Sequence, residues 1–259
     1  MKSSEYRAEA RAKLSGKWGK AALIALAFGF ISWAISAVTN LFPDSLSSLV
    51  SIAATVIDIP LSFGLIKAYV KLYNGEDVGA FDFLSLGFSS FGKSWGIAFS
   101  MLGKVIVPFI LMIVGYVVMV VGAVGAATAY TVSSSSSSAM TGLSTVGIIG
   151  TILFIASLIW YIVKSYYYQL AYIIAAEDDN IASKDAVNKS RDLMDGKRWK
   201  LFVLQLSFIG WAILGIFTLG IGYLWLAPYI QCAIIAFYKF SLGNNDNAAP
   251  VEEKAEIEE

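Results

Sequence analysis

The chain has 259 residues, 57% hydrophobic and 15% charged, with a mean hydropathy of +0.68 and a formal net charge of zero. So apolar a composition points to a membrane protein, and the balanced charge supplies no field for nucleic acid or an acidic substrate. A single cysteine, Cys232, and the absence of histidine exclude an internal disulfide framework, a Cys/His zinc site and histidine acid–base catalysis; no metal or cofactor is implied.

A helix needs about 20 mostly apolar residues to cross about 30 Å of hydrocarbon. The first such run, Ala21 to Leu41, follows Lys2, Arg7, Arg11, Lys13, Lys17 and Lys20. It is longer than the apolar core of a signal peptide, so it reads as a span and not a cleaved leader. The second, Leu49 to Leu72, contains Asp58 and Pro60; the proline implies a kink and freed carbonyls. Next comes "GFSSFGKS", Gly87 to Ser94, which fits the phosphate-loop pattern G-x-x-x-x-G-K-[ST]. No strand is predicted before it and a membrane span follows, so it is read as an accidental match with no nucleotide bound.

The third span, Ile97 to Gly122, holds Lys104, and the fourth, Val146 to Ala176, holds Lys164. Between them, residues 123–145 read as an outer loop, low in complexity at Ser133 to Ser138. Glu177, Asp178 and Asp179 form an acidic cluster, read as a solvated helix end without the spacing of a calcium loop. The fifth and sixth spans, Leu201 to Phe217 and Tyr223 to Phe240, carry Gln205 and Gln231 and are joined by "TLGIG", suited to a tight hairpin turn. Residues 246–259 read as a disordered acidic tail.

None of the three predicted outer connections has a lysine or arginine, which places both termini on the cytoplasmic side by the positive-inside rule. A repeat reinforces this layout. Gly16-Lys17-Trp18, Gly92-Lys93-Ser94-Trp95 and Gly196-Lys197-Arg198-Trp199 each precede an odd-numbered span. Upstream of two copies, short helices are predicted: Ser183 as N-cap with Ala186, Val187, Ser190, Leu193 and Met194 on one face, and Phe81, Leu84, Phe88 and Phe91 at helical spacing. In this reading each glycine ends a helix lying on the membrane, and each lysine and tryptophan anchors at headgroup level.

The expected fold is therefore all-α and polytopic, a single membrane domain over residues 1–245. Its six transmembrane helices form three hairpin units, about 1–75, 76–180 and 181–242, each preceded by a short interfacial amphipathic helix. Lys17, Trp18, Lys93, Trp95, Lys197 and Trp199 are the candidate lipid anchors. Ionisable groups inside a membrane are costly and invite a functional reading, so Asp58, Lys104, Lys164, Gln205 and Gln231 are a candidate intramembrane polar site. No nucleophile sits in a recognisable catalytic turn, and no enzyme is expected.

The sub-motifs "SRDLMDGK", "LSFIGW", "LGIG" and "PYIQ" with "AFY", within Ala186 to Tyr238, resemble the bacterial integral-membrane family called domain of unknown function 975. Upstream, "KSYYYQLAYIIAAEDDN" and "LYNGEDVGAFDFLSLGF" are similar to the middle of that family. The family carries an Ile-Pro-Gly turn before the fourth-span lysine, where this chain has "WYIVK", Trp160 to Lys164. The resemblance implies a multi-span protein of a bacterial cytoplasmic membrane and brings no catalytic residue. The expected function is non-enzymatic binding of membrane lipid or a partner membrane protein, in envelope maintenance or stress tolerance. The alternative is a small transporter or channel with a polar cavity around Asp58, Lys104 and Lys164.

Overall fold

The computed structural model describes residues 2–132 and 137–246. All regular structure among these residues is helical: α1 (Ser3–Leu14), α2 (Trp18–Thr39), α3 (Asp44–Asn74), α4 (Asp82–Ser89), α5 (Phe91–Val132), α6 (Ser137–Tyr168), α7 (Ala171–Glu177), α8 (Ser183–Met194), α9 (Arg198–Leu206), α10 (Ile209–Phe217) and α11 (Tyr223–Asp246). Six stretches are long and apolar enough to cross a membrane: Trp18–Thr39, Leu46–Asn74, Phe91–Ala129, Ser144–Glu177, Arg198–Phe217 and Tyr223–Gly243. They coincide with the six expected spans, because long apolar runs leave the backbone no alternative to helix in lipid. Two of the six are interrupted, at Gln169–Leu170 and at Ser207–Phe208.

The segment expected as a loop over 123–145 is helical wherever it is described, since α5 continues to Val132 and α6 begins at Ser137. Its Gly, Ala, Ser and Thr residues mimic loop composition, but alanine is the best helix former and no proline interrupts the run. Part of the serine run, 133–136, lies outside the described residues, as does the predicted tail beyond 246.

The chain forms two compact units, residues 99–169 and the remainder. In the smaller unit, α5 and α6 approach so closely that a Cβ on Gly150 would strike the backbone at Met119, and one on Gly115 the backbone at Phe154. Small residues let membrane helices gain contact area in this way. Tyr116 against Phe154 and Phe109 against Tyr161 extend the seam.

In the larger unit, α11 is the central pillar and touches α1, α2, α3, α8, α9 and α10. Its most apolar window is 61% buried, against 22% for the windows in α2 and α3. The short helices are partly walls of this unit. Helix α1 buries Tyr6, Ala10 and Leu14, one face at i, i+4 and i+8, with Tyr6 edge-on to Phe237 and Phe240 of α11. Helix α8 buries the five predicted residues Ala186, Val187, Ser190, Leu193 and Met194, and it packs against α7 and α11. Ser183 is its first helical residue and not its cap; its hydroxyl donates instead to the Lys93 carbonyl. Helix α4 turns Phe83 and Gly87 onto α3, where a Cβ on Gly87 would strike the Pro60 carbonyl and one on Gly64 the Phe83 carbonyl. Of the face expected to lie on the membrane, Phe81, Phe88 and Phe91 stay exposed and Leu84 is half-buried.

Candidate functional site

The repeated lysines do one thing three times. Lys17 Nζ donates to the Leu72 carbonyl at 3.2 Å, Lys93 Nζ to the Asp178 carbonyl at 2.7 Å, and Lys197 Nζ to the Ser241 carbonyl at 3.1 Å. Leu72 lies near the end of α3, Asp178 is the C-cap of α7, and Ser241 lies near the end of α11. Each cation meets a carbonyl toward the C-terminal end of a returning helix, the negative end of its dipole; that of Leu72 also accepts from the Gly75 N–H. Gly16 and Gly196 stand at φ +74° and +67° and so close α1 and α8 as expected. Gly92 does not: α5 already begins at Phe91, and the break before it falls at Ser90.

The tryptophans diverge. Trp95 Nε1 donates to the Val56 carbonyl at 3.3 Å, the carbonyl that Pro60 leaves without its helical donor four residues on. Trp18 packs edge-on to Tyr229, whereas Trp199 is 71% exposed beside Phe202. Four residues of "GFSSFGKS" thus have a structural duty: Gly87 admits α4 to α3, Ser90 accepts from Lys67 at 3.0 Å, Lys93 caps α7, and the Ser94 hydroxyl donates to the Phe91 carbonyl. A cleft of about 480 Å³ lined by Lys67, Ser89, Ser90, Lys93 and Asp179 lies there, with buried Lys67 paired to Asp179 at 2.6 Å. The neighbouring acids are engaged too. Glu177 accepts from Lys239 and Asn74, and the Asp178 carboxylate from the Asn180 N–H.

Asp58 is exposed on α3 and enters none of the four ion pairs among the described residues, and neither do Lys104 and Lys164. Residues 99–169 contain both of these lysines and no aspartate or glutamate, so that unit offers them no carboxylate. Gln205 and Gln231 are half-buried on α9 and α11.

A second space was not foreseen. An apolar groove of about 400 Å³ runs between α2, α10 and α11, walled by Trp18, Trp211, Trp225 and Tyr229, floored by Gly215 and Gly222, with Arg11 at its edge. Tyr229 is fixed edge-on by Phe208 as well as by Trp18. One turn before Arg11, Arg7 reaches the Ser207 carbonyl at 3.5 Å through Nη1, while its buried Nε has no hydrogen-bond partner. Beyond Trp18 these residues gave no sequence signal except the aromatics of "LSFIGW" and "GYLW", whose convergence depends on the tight turn between α10 and α11.

No curated protein and no solved structure matches the chain. A family model does, described as a protein of unknown function and matching residues 1–245, which include every residue of the groove, the cleft and the three lysine caps. The chain is a multi-helix member of that family, DUF975.

Proposed function

We propose that the protein binds a membrane lipid in the groove between α2, α10 and α11, an acyl chain lying against Trp18, Trp211 and Trp225 and an anionic headgroup meeting Arg11. The groove itself carries this reading: its size suits a small-molecule ligand, its lining is almost wholly apolar, and one guanidinium stands at its rim. Arginine matches phosphate geometry, and tryptophan favours the boundary between headgroups and chains. Binding without chemistry suits a chain that has no histidine and a single cysteine buried in α11.

The three lysine caps support a further reading, that the chain is one design used three times: a short helix, a hairpin, and a lysine closing its mouth. The cations of α1 and of the cap sites would face the cytoplasm, with both termini, in a bacterial cell membrane. A role in envelope maintenance follows from lipid binding as its physiological use.

Retention of lipid by the full-length protein, purified from nanodiscs of equal phosphatidylglycerol and phosphatidylcholine and read by native mass spectrometry, tests the proposal. Wild type should retain the anionic lipid preferentially, and Arg11→Gln should cut that preference about tenfold, the scale of one charge-assisted hydrogen bond. Leu214→Trp, at a site 56% exposed on the groove wall, should reduce retention of both lipids. Retention unchanged in both variants sinks the idea.

A further inference from the structure

We infer that the α10–α11 hairpin does not cross the bilayer but dips into a single leaflet, entering and leaving on the side that carries α1. The inference is independent of the lipid groove. By length and hydropathy Arg198–Phe217, which joins α9 to α10, and Tyr223–Gly243 qualify as spans; their neighbours say how deep they go.

Helix α1 supplies the ruler. Its sequence, SSEYRAEARAKL, leaves Glu5, Glu9, Arg11 and Lys13 exposed, so its outer face lies in water. Its inner face lies along α11, with Tyr6 against Phe237 and Phe240. At the other end of this contact Trp18, where α2 begins, meets Tyr229. The stretch from Tyr229 to Phe240, about 17 Å at 1.5 Å per residue, therefore runs beside a polar helix, outside the hydrocarbon. Only the part from Tyr229 to Gly220, about 13 Å, extends past the level at which α2 enters. Helix α2, with 22 residues, continues about 33 Å from that level.

The groove gives the same answer. Arg11 and the turn residues Thr218 and Gly222 line one space of about 400 Å³, which if rounded is about 9 Å across. A turn on the far side of the bilayer would stand about 30 Å from a water-exposed α1. The break at Ser207–Phe208 falls where the chain would leave the surface: α9 lies against α1, the Arg7 guanidinium meets the Ser207 carbonyl, and α10 is the inserted half.

The turn is built for a place without water. The N–H groups of Leu219, Gly220, Ile221, Tyr223 and Leu224 donate to carbonyls within the hairpin, and that of Gly222 donates to Thr218 Oγ1 at 2.9 Å. A turn in water has no need of such completeness, whereas in hydrocarbon each open donor is expensive. The side chains at the tip, Phe217, Leu219 and Ile221, are 80%, 94% and 59% exposed, and acyl chains of that leaflet are the partner that covers them.

Single-cysteine labelling of the full-length protein in intact inner-membrane vesicles tests this, in a Cys232→Ala background. Ala8→Cys on α1 and Phe42→Cys at the α2–α3 turn report the two faces, and a membrane-impermeant maleimide is applied from each side. Leu219→Cys should label at least tenfold less than either reporter from both sides and become reactive in detergent. Labelling of Leu219→Cys together with Phe42→Cys means a full crossing and overturns the inference; labelling together with Ala8→Cys means a tip in water and overturns it equally. Phe217→Cys serves if Leu219→Cys does not assemble, with the same outcomes. Loss of lipid retention with Leu219→Cys still shielded would separate a failed groove from a failed topology.

Discussion

The α5–α6 hairpin and the α10–α11 hairpin are both apolar, and they solve opposite problems. Helices α5 and α6 have 42 and 32 residues, about 63 and 48 Å, longer than the roughly 30 Å of hydrocarbon, and are held together by glycine contacts with no internal carboxylate. Helix α10 has nine residues, about 13 Å, and its partner α11 spends much of its length as the core of the larger unit. The first hairpin is defined by its own seam. The second is defined by what it is bolted to, through Tyr229 to Trp18 and Phe208, and by a turn that satisfies its own donors. Apolar composition thus states that a segment can enter a membrane, while its attachments state how far.

The contrast can be broken most forcibly at the seam. Gly150→Leu should separate α5 from α6 and cost about 3 kcal/mol or more, with Gly150→Ala at about 1–3 kcal/mol, read as midpoint shifts in detergent unfolding. In the short hairpin, Thr218→Val removes the acceptor for the Gly222 N–H and a donor to the Gly215 carbonyl. It should cost about 1–3 kcal/mol if the turn is shielded from water, and only a few tenths if water can replace the hydroxyl. Lys197→Met removes the cap on α11 but neither hairpin contact and should cost about 1 kcal/mol, with trypsin cleavage near the end of α11 rising correspondingly. Asp58→Asn, remote from the groove, should leave lipid retention unchanged; a large loss would move the functional centre to α3.

The smallest effect concerns pH. The Lys20 ammonium beside exposed Asp77 holds its carboxyl below the ordinary 3.8. The unfolded chain then binds more protons in that range, so the contribution is present above pH 3.8 and is lost as pH falls through the depressed value. Lys20→Gln should abolish that part of the acid profile without touching either hairpin.

The six apolar helices were legible in the sequence because hydropathy over about 20 residues is a direct physical requirement of a span. The Gly-Lys-Trp repeat was legible as a pattern but not as a contact. Spacing placed each lysine at a boundary, and nothing local showed that the carbonyls of Leu72, Asp178 and Ser241 would be their partners. Residues 123–132 and 137–145 misled because low complexity resembles a loop, while alanine and serine extend a helix as well once it is begun. The depth of α10 was illegible for a different reason: it depends on α1, some 200 residues earlier, through Arg7 and Ser207. The groove shares that dependence, since Arg11 and Trp18 meet Trp211 and Trp225 only after the third hairpin folds against α1 and α2.

The bond from Trp95 to Val56 also sets a schedule. Pro60 leaves α3 with one carbonyl open as it is translated, and the indole that closes it lies 39 residues downstream, beyond α4 and within the first turns of α5. At about 5–20 residues per second, that donor emerges several seconds later. Until then the Val56 carbonyl has neither its helical donor nor the indole. Arrival of the next segment closes that carbonyl, so the order of synthesis is written into which residue satisfies which carbonyl.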